Sequence, residues 1–217
     1  MKSLQTLPAP FYRLIAAPIG SMFGALSWAL QQTFTVTVHS SLPPIPRRPA
    51  IYTLYHQHLP YLLPFHGLMA KQEDAKRVLL MQGNPYMDPV GRWIESMGIT
   101  VKRGGGSDDE GSTEMLRRVI EEDENSIILA VDGPYGPLYK FKSGAVVLAK
   151  QTGAPIVHCF YRTSKARDDE ARWDRRLVPR PFDSIDVYLG KERFVGEDED
   201  VEAVVEELER NWDGRRP

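Results

Sequence analysis

Asp132 to Gly144 reads D-G-P-Y-G-P-L-Y-K-F-K-S-G and follows directly on the apolar run Ile127-Ile128-Leu129-Ala130-Val131. The run has the length and the aliphatic, β-branched content of one buried strand and breaks abruptly into turn residues, so Asp132 falls at a strand's C-terminal lip. Gly133 and Gly136 permit positive φ while Pro134 and Pro137 fix φ, which makes a loop that is sharply bent yet stiff and able to hold backbone N–H groups for a ligand. Ser143 and Gly144 then open the run Ala145-Val146-Val147-Leu148-Ala149, read as a helix with Ser143 as N-cap. In open α/β sheets ligands bind at this carboxyl edge. A tight strand-to-helix connection whose aspartate caps its own turn fits the same residues.

Worked outward from that loop, the chain alternates strands and helices. Thr33 to His39, Ala50 to Tyr55, Arg77 to Met81, Ile99 to Val101, Ala154 to Tyr161 and Ile185 to Leu189 read as further strands. Leu59 to Leu68, a segment from Asp88 through Met97, Met115 to Ile120 and Val201 to Trp212 read as helices, with Asp88 placed as a cap. Pro43, Pro44, Pro46 and Pro49 form an extended connector, and Arg162 to Arg176 a charged excursion. Short, non-alternating strands between helices predict an α/β fold: one domain around a mostly parallel central sheet.

The 217 residues suffice for one core. With 29 acidic and 27 basic residues the formal charge is −2, so no overall field marks the chain for nucleic acid, and any anion site must be local. The single cysteine, Cys159, lies in an apolar run and reads as a small core residue in a reducing compartment. The histidines lack zinc spacing, so no metal is expected.

Between Arg13 and Arg47 no side chain is ionised. Leu14 to Leu30 is apolar but interrupted by Pro18, Gly20, Ser21 and Gly24. Its 17 residues reach about 26 Å at 1.5 Å each, against a hydrocarbon core of roughly 30 Å. The segment therefore reads as a membrane-interface helix or hairpin with Trp28 at the headgroup level, or as a helix buried on the domain. The expected division is an apolar N-terminal segment at 1–32 and an α/β domain at 33–217.

Four polar clusters each follow a predicted strand: His56 with His58, Asp88, Lys102-Arg103 with its glycines, and Asp132 to Lys142. Their segments Y-H-Q-H (Tyr55 to His58), D-P-V-G-R-W-I-E-S-M-G (Asp88 to Gly98), K-R-G-G-G (Lys102 to Gly106) and D-G-P-Y-G-P (Asp132 to Pro137), with G-A-P-I-V (Gly153 to Val157) and W-D-R-R-L-V-P-R-P-F (Trp173 to Phe182), resemble the lysophospholipid acyltransferase superfamily. The likeness is greatest to its branch of uncharacterised bacterial proteins, and it covers about Phe34 to Lys191.

The resemblance implies a glycerolipid acyltransferase-like fold and an O-acyltransferase of lipid metabolism, such as phospholipid biosynthesis. An acyl group would pass from acyl-CoA or acyl carrier protein to a hydroxyl of a membrane lipid such as a lysophospholipid, with no cofactor. It implies His56 as general base, Arg103 and Gly104 at an anionic headgroup, Asp132, Gly133 and Pro134 as the acceptor element, and Lys142 behind them. It also implies a peripheral protein on the cytoplasmic face of the inner membrane, engaged with no nucleic acid. Better-known branches place an aspartate five positions after the histidine, where this chain has Tyr61; Leu63 follows His58 at the same distance. Asp88, whose next residue is Pro89 in place of the family's glycine, is the expected partner of His56. His58 is expected to be exposed, and His158, where the family carries proline, to be a hydrogen-bonded histidine at the core's edge. The missing carboxylate also motivates a different class of reading, a catalytically inactive lipid-binding or assembly protein on the same scaffold. A phosphate-ester hydrolase using the glycine-rich loops as an anion cradle is the third.

Overall fold

The computed structural model describes residues 8–40, 48–61, 65, 76–104 and 110–213. Helix α1 spans Ala9–Gln31, α2 Asp88–Ser96, α3 Glu110–Glu121, α4 Gly144–Thr152 and α5 Val201–Asp213. The strands are β1 Thr35–Ser40, β2 Ile51–Leu54, β3 Arg77–Gln82, β4 Ile99–Gly104, β5 Ser126–Ala130, β6 Ile156–Thr163, β7 Arg167–Asp168, β8 Leu177–Val178 and β9 Ser184–Leu189. The helix expected at Leu59 to Leu68 lies only partly within the described residues; Gly105, Gly106 and the prolines at 43, 44 and 46 lie outside them.

Seven strands form one sheet in the order β1-β9-β6-β2-β5-β3-β4, and every neighbouring pair is parallel except β6 with β9. This is the mostly parallel α/β sheet that the short apolar strands imply. Strands buried on both faces split their side chains between two cores. Ile51, Ile127, Ile156 and Phe160 pack with Leu116, Val119, Val146 and Leu208 of α3, α4 and α5. Tyr52, Leu54, Ile128, Val157 and Tyr161 pack on the other face with Ile94 of α2, with Met97 at its C-cap and with Tyr61 and Phe65. Parallel pairing of β2, β3, β4, β5 and β6 sends all five C-termini to one edge. Because β9 is antiparallel to β6 and β1 parallel to β9, the starts of β9 and β1 lie at that edge too.

The N-terminal segment is one continuous helix of 23 residues that runs through Pro18. Its inward face is Tyr12, Ala16 and Gly20, spaced by four, and it lies against α2. The glycines read as helix-weakening in the sequence are the seam. A Cβ on Gly20 would lie 2.5 Å from Arg92 Cβ and 3.1 Å from the Pro89 carbonyl oxygen. Trp93 Nε1 donates to Ser27 Oγ at 2.7 Å further along the same contact. Phe11, Leu14, Met22, Phe23, Leu26 and Trp28 remain exposed, so most of the helix's large apolar side chains face away from α2, while Ile15 is half-buried.

Gly20→Ala is expected to destabilise the protein, although alanine favours a helix over glycine by about 1 kcal/mol. The new methyl meets backbone as well as side chain, and overpacking of this kind costs about 1–3 kcal/mol. Gly144→Ala, where nothing lies within 4 Å of the added Cβ, is the control and is expected to be neutral or mildly stabilising. Thermal unfolding of the two variants checks the pair.

Candidate active site

In the β2–β5 pairing Leu54 is opposite Ala130, and each chain runs two residues further to a polar side chain. His56 and Asp132 therefore meet at the sheet edge. The Asp132 carboxylate has no exposed surface, and its Oδ1 is 2.6 Å from His56 Nδ1. The His56 backbone N–H also donates to both carboxylate oxygens, at 3.1 and 3.2 Å. A carboxylate only accepts, so Nδ1 carries the ring proton and Nε2 keeps its lone pair. The His56 side chain is 16% exposed, enough for a small group to reach it.

The orienting carboxylate is thus Asp132 and not Asp88. Asp88 is the first residue of α2 and not its cap; Met87 holds the N-cap position, and no side chain caps the helix there. Its carboxylate accepts from Arg103 at 2.9 Å, and Arg103 also donates to the Gln82 carbonyl oxygen at 3.1 Å. The guanidinium crosses Gly91, whose added Cβ would lie 2.6 Å from an Arg103 terminal nitrogen. Gln82 in turn donates to the Tyr135 hydroxyl at 3.0 Å, so the β3–β4 corner and the Asp132 loop share one rim.

The loop itself differs from expectation in where its N–H groups go. Gly133 donates to the Ala130 carbonyl at 3.1 Å and Gly136 to the Gly133 carbonyl at 3.4 Å, so both amides are used within the turn. Gly133 (φ 68°) and Gly136 (φ 71°) do take the left-handed backbone the motif implies. Over Gly133, the residue after Asp132, lies Lys142 on the loop's return, whose Nζ would be 2.6 Å from an added Cβ. Gly104 is held by packing: an added Cβ would meet Ser112 Oγ at 2.5 Å and Leu80 Cδ1 at 2.7 Å. Pro134 is half-buried between the two loop glycines. Ser143 stands at the N-cap position of α4 without a side-chain cap.

Trp173 belongs to the site although its charged surroundings read as a solvated excursion. Its ring is 5.2 Å from the His56 ring at 57°, and it lies where a Gly136 Cβ would go, 2.7 Å away. The excursion leaves β6 at the edge where His56 lies, and the fully buried Asp174 anchors it. Arg172 Nε donates to Asp174 Oδ1 at 2.9 Å and an Arg176 nitrogen to Oδ2 at 2.8 Å. Burial alone would push the Asp174 carboxyl up; the hydrogen bond from Arg172 and the charge of Arg176 outweigh it and hold the carboxyl below its ordinary range.

The remaining sequence candidates divide. His158 shares a 2.8 Å hydrogen bond with Thr53 Oγ1 at the core's edge, as expected. His58 is fully buried, not exposed, because the three-residue 3₁₀ turn His56–His58 rotates it inward against Tyr161; burial lowers it to about 4. Cys159 is a core residue whose thiol burial pushes up to about 12. Among the described residues no group of three His, Cys, Asp or Glu is arranged to hold a metal ion.

No family model matches the chain. A protein of Rickettsia prowazekii (strain Madrid E), described as uncharacterized protein RP090, is 31% identical over 87 residues, 39% of this chain and 39% of that protein. The match thus spans about two fifths of the relative's length.

Two measurements test the site's construction. Trp173→Leu is expected to shift the His56 ring-proton resonances by removing a neighbouring ring current while leaving the fold intact, since the tryptophan is partly exposed; unchanged resonances would separate the two rings. For His58, the unfolded chain takes up a proton near pH 6.5 and the folded one only near 4. Stability is therefore full above pH 6.5 and falls as pH drops through that window, by up to about 3 kcal/mol. His58→Leu is expected to flatten this part of the denaturation–pH profile.

Proposed function

We propose that the protein is a membrane-associated O-acyltransferase that moves an acyl group from a thioester, acyl-CoA or acyl carrier protein, to a hydroxyl of a lipid-like acceptor. The observation that carries the reading is the His56–Asp132 pair, a histidine with its Nδ1 proton fixed and its Nε2 facing outward. That is the arrangement a general base for a hydroxyl requires. Nε2 takes the acceptor's proton as its oxygen attacks the thioester carbonyl, forming a C–O bond and a tetrahedral oxyanion. Collapse breaks the C–S bond, and the imidazolium returns the proton to the departing thiolate. Asp132 stabilises the imidazolium in between. Lys142, over Gly133, is the cation available to the oxyanion, since the Gly133 and Gly136 amides are used internally. Arg103 supports the reading as a fork for an anionic headgroup. The family resemblance supplies the substrate class.

Membrane association rests on α1, which by length and composition could cross a bilayer. At 23 residues it measures about 34 Å, more than the sequence's interrupted run suggested. One face is committed to α2 beside Arg92 and Ser96, and that charged neighbour favours a helix lying in the interface with its opposite face in lipid. This suits a peripheral protein on the cytoplasmic face of the inner membrane. A catalytically inactive scaffold was motivated by the missing carboxylate after His56, and Asp132 at Nδ1 removes that motive.

Thiol release from acyl-CoA and from acyl carrier protein, with a lysophospholipid present, tests the reading. His56→Ala and Asp132→Asn are each expected to lower turnover by about 10² to 10⁴. Arg103→Gln is expected to raise KM more than it lowers kcat, as the loss of a headgroup contact would. Wild-type protein that consumes neither thioester with any hydroxyl acceptor would overturn the proposal.

A further inference from the structure

We infer that the loop Val178-Pro179-Arg180-Pro181-Phe182 is a second lipid-docking element, which sets the protein on an anionic bilayer beside its candidate active site. This deepens the membrane part of the function proposed above and rests on it.

The first observation is Phe182. Its side chain is 71% exposed and its backbone is left-handed at φ 59°, a conformation a bulky residue adopts at a cost. An aromatic ring held out in water on a strained backbone does nothing for the core. The surroundings over-determine it: the Phe182 N–H donates to Thr33 Oγ1 at 3.0 Å, and Thr35 N–H donates to the Asp183 carbonyl at 2.9 Å. Buried Asp183 completes the clamp. Its Oδ1 accepts from the backbone and hydroxyl of Ser164 and from the Lys165 N–H, and its Oδ2 from the Tyr61 hydroxyl at 2.7 Å.

Those same bonds join the loop to α1. Thr33 Oγ1 also donates to the Leu30 carbonyl at 2.6 Å, so Phe182 borders the last turn of α1, where Leu26 and Trp28 are exposed. Val178, the last residue of β8, is exposed where the loop begins. The apolar surface of α1 is thereby extended, not ended, at its C-terminus.

Charge selects the occupant. From Leu177 to Phe182 the chain has one ionisable residue, exposed Arg180, and the backbone N–H of exposed Lys165 donates to Asp183, whose own carboxylate is buried. An exposed arginine two residues before an exposed aromatic, an exposed lysine whose backbone bonds the residue after that aromatic, and an apolar helix with an exposed tryptophan match an anionic lipid surface. The position fits as well. The loop enters β9 at the edge of the sheet that carries His56, two strand spacings or roughly 10 Å across from β2. An acceptor drawn from the bilayer would then have only a short distance to travel.

Co-sedimentation with phosphatidylcholine vesicles containing increasing phosphatidylglycerol tests the loop, using the full chain. Arg180→Gln and Lys165→Gln are each expected to weaken binding to the anionic vesicles about fivefold. Phe182→Asn is expected to weaken it at least about tenfold. Asparagine tolerates the left-handed backbone better than phenylalanine, so this variant is also expected to unfold at the same or a higher temperature, which excludes misfolding as the cause. All three should keep wild-type thiol release with a water-soluble acceptor. If wild type binds and the three variants bind equally, the loop is not a docking element, while the acyltransferase reading stands. If wild type stays in the supernatant at every composition, both the loop and the membrane association fail. If Phe182→Asn instead turns a dimer into a monomer without changing vesicle binding, the occupant is a second copy of the chain and the lipid assignment is overturned.

Discussion

The carboxylate of Asp132, without exposed surface, accepts the ring N–H and the backbone N–H of the same histidine, and the rest of the site is arranged around that pair. An ionised group held away from water costs several kcal/mol unless its hydrogen bonds are supplied in full. Here they come from His56, which is itself fixed because β2 and β5 are neighbours with Leu54 opposite Ala130. A shift of the pairing by one residue would turn one of the two side chains to the other face of the sheet. The register that fills both cores with Ile51, Tyr52, Ile127 and Ile128 is therefore the register that makes the dyad.

Topology does the remaining placement. Parallel strands deliver their C-terminal residues to one edge, and β6 belongs to that set, so the excursion after Thr163 begins there too. Trp173 reaches His56 for this reason although 117 positions separate them in sequence. The antiparallel turn from β6 to β9 brings Phe182 back to the same edge, and β1, parallel to β9, begins there at the end of α1. The placements of the apolar helix's end, the aromatic loop and the histidine are thus consequences of one strand order.

The strands and helices were legible because strands buried on both faces read as unbroken apolar runs, and the turns at Gly83-Asn84-Pro85, Gly98 and Asp132 to Pro137 punctuate them. The site was legible as a set of residues after strands but not as a set of pairs. Asp88 and Asp132 each read as a carboxylate after a strand, six residues past β3 and two past β5, and what decides between them is that β2 lies next to β5 and not β3. Strand order is a non-local property that no window of sequence carries. The matched offset of two residues from Leu54 to His56 and from Ala130 to Asp132 was the available signal. His58 was misjudged because an α-helical first turn would expose it, whereas a 3₁₀ turn buries it. The seam of α1 was visible as Ala16, Gly20 and Gly24 at a spacing of four, but glycines in an apolar run invite a reading of weakness before one of close contact.

The three acidic residues near the site differ in how firmly they hold what they hold, and burial decides the order. Asp132 and Asp174 are fully buried and multiply bonded, so losing a partner would strand a charge at a cost of several kcal/mol. They fix His56 and Trp173. Asp88 and Arg103 are 28% and 32% exposed, and an ion pair so open to water contributes about 1 kcal/mol or less. A phosphate arriving at Arg103 would therefore displace a weak partner and gain a bidentate one, while the two anchored side chains stay where they are. On the proposed function, that difference lets the headgroup fork exchange partners in each turnover while the base keeps its geometry.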